Sequence, residues 1–262
     1  MREKVAGLFQ DSYPNDAIID ATPARWDFTA ARDDAITLLR IHDQETGGKS
    51  GRPEPRLEAL KRSALILAVT AWESFVEDTL TEEVDKLLKS TSDPSTILSI
   101  FNGIAHEWLD SARSSVKKPP DLMQWTGDKW KDVVRQSLSK SLESFNTPNS
   151  KNTSKLFERY LGVEIVKKWT WQRVSSGTAQ KQLDALIKLR GRVVHRGKTL
   201  FTSSTLAKDV RRRDVVKALN LVFNLVDATE HALGIAPTAK SLCELSTETS
   251  ASSPASKAVV EE

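Results

Sequence analysis

The chain has 262 residues, 39% hydrophobic and 28% charged, with 38 basic against 35 acidic side chains and a single cysteine. That balance supplies a core for one globular domain and excludes a disordered polymer, a disulfide-stapled secreted domain and a strongly basic nucleic-acid-coating protein. No apolar run approaches the ~18 residues of a membrane span, and the start Met1-Arg-Glu-Lys-Val lacks the apolar centre of a secretion signal, so a cytoplasmic chain without membrane contact is expected.

Thr22-Pro23 offers a helix start with proline at its first position, and Phe28, Ala31, Ala35, Leu38 and Leu39 follow at helical spacing, predicting a helix over about 23–44. The segment Gly47 to Pro55 is a loop; it contains Gly-Lys-Ser but neither the earlier glycine nor the strand of a phosphate-binding loop. From about 56 to 89 Leu57, Leu60, Ala64, Leu67, Ala68, Ala71, Phe75 and Leu80 form the longest apolar stripe, the spine of the fold. Asp93-Pro94 opens a helix to about 112, with Ile97, Leu98, Phe101 and Leu109 expected inward. Another spans about 127–145, Thr147 to Thr153 is turn-forming, and a short helix closes on Gly162. Val163 to Val174 is left irregular, since a lone strand has no sheet to join. A helix over about 177–196 carries Ala179, Leu183, Leu186, Ile187, Val193 and Val194 to a stop at Gly197, and a last one starts between Leu206 and Asp214 and ends at Gly234.

The expected fold is therefore all-α. Residues 1–22 are a lead-in, 23–236 one helical domain and 237–262 a Ser/Thr/Ala-rich tail too poor in apolar residues to order itself. A domain break near 115–125 is the alternative.

Histidines are few, and His42, His106, His195 and His231 do not cluster as metal ligands, so neither a metal nor a cofactor is expected. His42 and His231, near helix ends, read as capping or surface groups. The cationic clusters elsewhere, Arg211-Arg212-Arg213 included, read as solvated faces. His195 differs. The run Leu189-Arg190-Gly191-Arg192-Val193-Val194-His195-Arg196-Gly197 packs an imidazole and three guanidinium groups into the end of an otherwise apolar helix. Histidine exchanges a proton near neutral pH, and arginine holds phosphoryl oxygens through paired hydrogen bonds. Together they suit metal-free RNA cleavage, in which a ribose 2′-OH attacks the adjacent phosphorus.

The spacing Arg190-x4-His195 near the end of a late helix, followed by glycine, resembles the Arg-x4-6-His motif of the HEPN superfamily. The earlier stretch from Ala68 through Trp72-Glu73 to Leu80 is similar to the first core helix of its RiboL-PSP-like group. The resemblance implies a HEPN-like helical bundle with a helical insertion over about 90–175, and a homodimer in which two motif helices meet and bring two Arg190 and two His195 into one cleft. It implies an endoribonuclease in a toxin–antitoxin or phage-defence setting, with RNA as substrate and an antitoxin or activator protein as a further partner. Gly191 departs from the pattern, because many members carry asparagine or another polar residue there.

Residues five apart on an ideal helix lie roughly 140° apart, so Arg190 and His195 do not share a face unless the helix loosens at Gly191. Glu73, a carboxylate on an apolar spine, is expected to orient Arg190 or His195, or else to be a surface acid. Arg192, Arg196 and Lys198 are the expected RNA-backbone contacts. Trp72, Trp169 and Trp171 read as core residues first and base-stacking surfaces second. The rival to a nuclease is a non-catalytic HEPN module that binds RNA, a nucleotide or a partner protein.

Overall fold

The structure is a computed structural model that describes residues 21–47, 55–114, 122–195 and 210–235. Among these, α1 spans Pro23–Thr46, α2 Pro55–Ser90, α3 Leu98–Ser114, α4 Trp130–Glu143, α5 Ser150–Leu161, α6 Ile165–Lys168, α7 Ser176–His195 and α8 Arg212–Leu233. The tail, the lead-in up to residue 20 and Gly197 lie outside the described residues.

The 36 residues of α2 make a rod of roughly 54 Å around which the bundle is built. Leu65, Ala68, Val69, Trp72, Phe75, Val76 and Leu80 are buried on several of its sides, which is what a central helix requires. α1 packs along it, with Phe28, Ala35 and Leu39 inward, and α8 covers a further side through Leu219, Val222, Leu225 and Val226. At the centre Trp72 meets Trp169 edge-on at 5.7 Å between ring centroids, and both indoles are fully buried. Each also finds a partner for its N–H: Trp72 Nε1 donates to the Pro148 carbonyl and Trp169 Nε1 to Thr229 Oγ1, both at 3.0 Å.

The helix ends follow their local chemistry. Thr22 Oγ1 accepts the Arg25 N–H at 3.1 Å ahead of Pro23, and Asn149 Oδ1 accepts the Asn152 N–H at 2.8 Å to start α5. Gly162 and Gly234 end α5 and α8 in the left-handed region, each with φ 68°, where a side chain would be strained.

Several local expectations give way. The helix expected from 94 opens with a 3₁₀ turn, Pro94–Ile97, because the Asp93 carboxylate draws in both the Ser95 N–H and its hydroxyl. Leu109 is exposed rather than inward; α3 buries Ile100 and Ile104, and Leu109, five residues beyond Ile104, lies about 140° around the helix from that stripe. The side chains of Leu98 and Phe101 lie outside the described residues. The turn-forming segment ends early, since α5 already begins at Ser150, and the stretch left irregular contains the helical turn α6 and an isolated bridge between Trp171 and Val174. His42 is buried rather than at the surface. Arg212 is no free surface charge: its Nε and Nη2 grip the Asp43 carboxylate at 2.6–2.9 Å, tying the start of α8 to the end of α1. Burial pushes the Asp43 carboxyl up, but the hydrogen bonds and charge of Arg212 outweigh it and hold the group below its usual range.

Candidate functional site

One face of α2 does not enter the core. Thr70, Glu73, Ser74, Glu77, Thr81 and Asp85 recur at spacings of three and four and form the floor of an open groove of about 870 Å³. Between Thr70 and Asp85 the floor runs roughly 22 Å at the helical rise. α4 supplies the opposite wall through Arg135, Leu138, Ser139, Leu142 and Glu143. Val84 of α2 also lines the groove, and Phe145, Asn146 and Arg190 complete it from the α4–α5 loop and α7.

Arg190 reaches this groove from α7. Its Nη2 lies 3.7 Å from Glu73 Oε2, and its Nη1 donates to the Asn146 carbonyl at 3.4 Å. Its Nε is buried with no hydrogen-bond partner. The guanidinium is thus held by one carboxylate and one carbonyl at long range while most of its five donors stay uncommitted, the state an arginine needs to accept a phosphoryl group. Burial pushes the Glu73 carboxyl up and the Arg190 charge draws it partly back, so the carboxyl stays above its ordinary value.

The loop that carries Asn146 is pinned from both sides. Trp72 holds the Pro148 carbonyl from α2, and Asp184 on α7 accepts the Ser150 N–H at 2.9 Å. At the far end of the groove Arg135 Nε bonds Asp85 at 2.8 Å and its Nη1 bonds Asp132 at 2.9 Å, so this arginine is committed where Arg190 is not.

Arg190 and Glu73 are therefore brought together. His195 is the last residue of α7, and the helix runs through Gly191 without a break, so positions 190 and 195 stand about 140° apart around its axis and no loosening joins them. Arg192 is exposed, as is Val194, which the apolar pattern had placed inward. Arg196 and Lys198 lie outside the described residues. Trp72 and Trp169 belong to the core, not to the groove. Glu77 was missed, although its position four residues after Glu73 was a readable signal. The Asn146 carbonyl was also missed, and no side-chain pattern announces a backbone acceptor.

A family model described as RiboL-PSP-HEPN matches residues 30–234. The chain belongs to the RiboL-PSP-HEPN family. The match begins within α1 and ends at Gly234 behind α8, so it takes in the whole groove and the motif helix of this HEPN bundle. Curated proteins and solved structures give no match to the chain. Among the described residues of the HEPN chain, no group of three or more His, Cys, Asp or Glu side chains is disposed to hold a metal ion, and no helix is long and apolar enough to cross a membrane.

Proposed function

We propose that this HEPN chain is a metal-independent endoribonuclease acting as a homodimer. The observation that carries the reading is Arg190: a groove-lining guanidinium steadied by Glu73 and Asn146, with donors free, on the helix that ends at His195. In the proposed reaction one His195 takes the proton of a ribose 2′-OH, whose oxygen attacks the neighbouring phosphorus. Arg190 stabilises the charge on the pentacovalent phosphate, and a second histidine protonates the departing 5′-oxygen. The products are a 2′,3′-cyclic phosphate and a 5′-hydroxyl.

One chain offers one such histidine, and the helical register sets it around the axis from its own Arg190. A two-fold pairing of α7 helices supplies the second histidine and combines each Arg190 with the His195 of the other copy. Arg192, Arg196 and Lys198 act as backbone-phosphate contacts, with affinity that falls as salt rises. Residues 23–236 function as one domain, the 90–175 insertion forms a groove wall, and the family context puts the enzyme in a toxin–antitoxin or phage-defence system with an inhibiting or activating protein.

A second reading has its own support. A Cβ at Gly191 would meet nothing within 4 Å, so the space beside Arg190 that a polar side chain fills in many relatives is open here, which favours a module that binds RNA without cutting it. Incubating the protein with total RNA in EDTA decides between the two. Cleavage with 2′,3′-cyclic phosphate ends, lost in His195→Ala, supports the nuclease; salt-sensitive binding without products, unaffected by His195→Ala, supports the module.

A further inference from the structure

Glu77 lies one helical turn beyond Glu73 on the groove floor, roughly 6 Å along α2. It is half-buried, and no hydrogen bond or ion pair reaches its carboxylate among the described residues; the charges that bear on it are those of Glu73 and Asp78, both repulsive. Glu73 has Arg190 and Asp85 has Arg135, which leaves Glu77 as a partly desolvated carboxylate facing the groove with no protein donor on it among the described residues. The opposite wall sets the apolar Leu138, Leu142 and Phe145 beside Ser139 and Glu143.

Such a site takes a ligand with a flat apolar face and a donor edge. It does not take phosphates, because the groove between its two arginines is acidic; a phosphate is welcome only at the Arg190 end. A nucleobase has the required face and edge, and the volume holds one nucleotide with room to spare. Among the four bases, only guanine places two donors, N1–H and N2–H, side by side where both carboxylate oxygens can accept. Adenine and cytosine set one amino group beside a ring acceptor, and the uracil N3–H is flanked by two carbonyls that a carboxylate repels.

We infer that Glu77 reads a guanine in the RNA whose backbone phosphate rests on Arg190. This deepens the nuclease reading and rests on it, so the test measures binding separately from cleavage. The full chain and its Glu77→Gln variant, both checked for native helicity, are titrated in EDTA with short fluorescent uridine-rich oligonucleotides. These carry one central guanosine, inosine or adenosine, with a 2′-deoxyribose at that nucleotide and its neighbours to block cutting. Expected is a preference of the parent for guanosine over adenosine by roughly tenfold, the worth of one paired base contact. Inosine, which lacks the N2 amino group, falls between them, and in Glu77→Gln the guanosine-to-adenosine ratio collapses toward one.

Equal binding of all three oligonucleotides by the parent overturns the guanine site, as does a preference that survives Glu77→Gln. If the same parent still cuts RNA, the nuclease reading stands without it. Absence of any oligonucleotide binding, with a hexa-arginine peptide bound instead and released by Glu77→Gln, overturns both and makes the groove a seat for a basic protein segment.

Discussion

Arg190 on α7 and Glu73 on α2 face each other at one end of the groove with 3.7 Å between Nη2 and Oε2, too far for a hydrogen bond and near enough for an ion pair. The carboxylate therefore sets the direction of the guanidinium without occupying its donors. Glu73→Gln is expected to lower kcat for RNA cleavage by about tenfold to a hundredfold, the cost of a misplaced reacting group, with KM little changed. Thermal stability should move by less than about 1 kcal/mol, since the pair is partly exposed. Steady-state kinetics beside a melting curve check this; a pure KM effect would assign Glu73 to binding instead.

The proposed pairing of Arg190 and His195 across a dimer has a kinetic signature. Arg190→Ala and His195→Ala homodimers should each lose cleavage by at least about a hundredfold. Mixing the two variants creates heterodimers that retain one intact pairing between chains and none within a chain. Because the proposed reaction takes one His195 as base and the other as acid, these heterodimers, with a single His195, should stay inactive. Recovery toward a quarter of the parent level, once exchange of subunits is demonstrated, would show instead that one His195 paired with the Arg190 of the other chain suffices.

Gly191 stands in an unbroken helix with open space where a side chain would project. Gly191→Ala should raise stability by about 0.5–1 kcal/mol, because alanine loses less backbone freedom on entering the helix. The readout is the denaturant midpoint at constant slope. Cleavage by Gly191→Ala at the parent rate would show that the site works without a loosened helix.

Glu230 on α8 is buried, held by Arg25 at 3.1 Å and crowded by Asp227 and Glu82. Burial, opposed by Arg25 and assisted by those two carboxylates, pushes its pKa from 4.5 up to about 7. Folding therefore takes up a proton between these values. This contribution to stability is full below about pH 4.5 and is lost as pH rises through about 7, a difference on the order of 3 kcal/mol. Glu230→Gln, which cannot titrate, should flatten the stability profile over that window relative to the parent. Urea unfolding at several pH values between 4.5 and 8 measures it, and parallel profiles for the two chains would refute the assignment.

The helical spine was legible because its apolar residues outnumber what one stripe needs, and the cap signals Thr22-Pro23, Gly162 and Gly234 are local events written in few residues. The boundary of α5 was harder to read: Asn149 caps a helix inside a run of turn-forming residues, and only Asp184, 34 positions away, shows why the start falls there. At the site, Arg190 announced itself by its neighbours and Glu73 by being a charge on an apolar helix. The role of Arg212 was invisible, because its partner Asp43 is 169 positions distant and nothing local distinguishes a paired arginine from a solvated one.

Trp72 and Glu73 are consecutive, yet one side chain holds the Pro148 carbonyl from inside the core and the other meets Arg190 in the groove. The same short loop takes both grips, since Asn146 receives Arg190 two residues before Pro148. Softening the interior at Trp72 would thus loosen the loop that receives the guanidinium. In the proposed nuclease, a conservative change deep in the core, such as Trp72→Phe, would then be met first as cleavage lost on mild warming, and would be mistaken for a lesion of the groove.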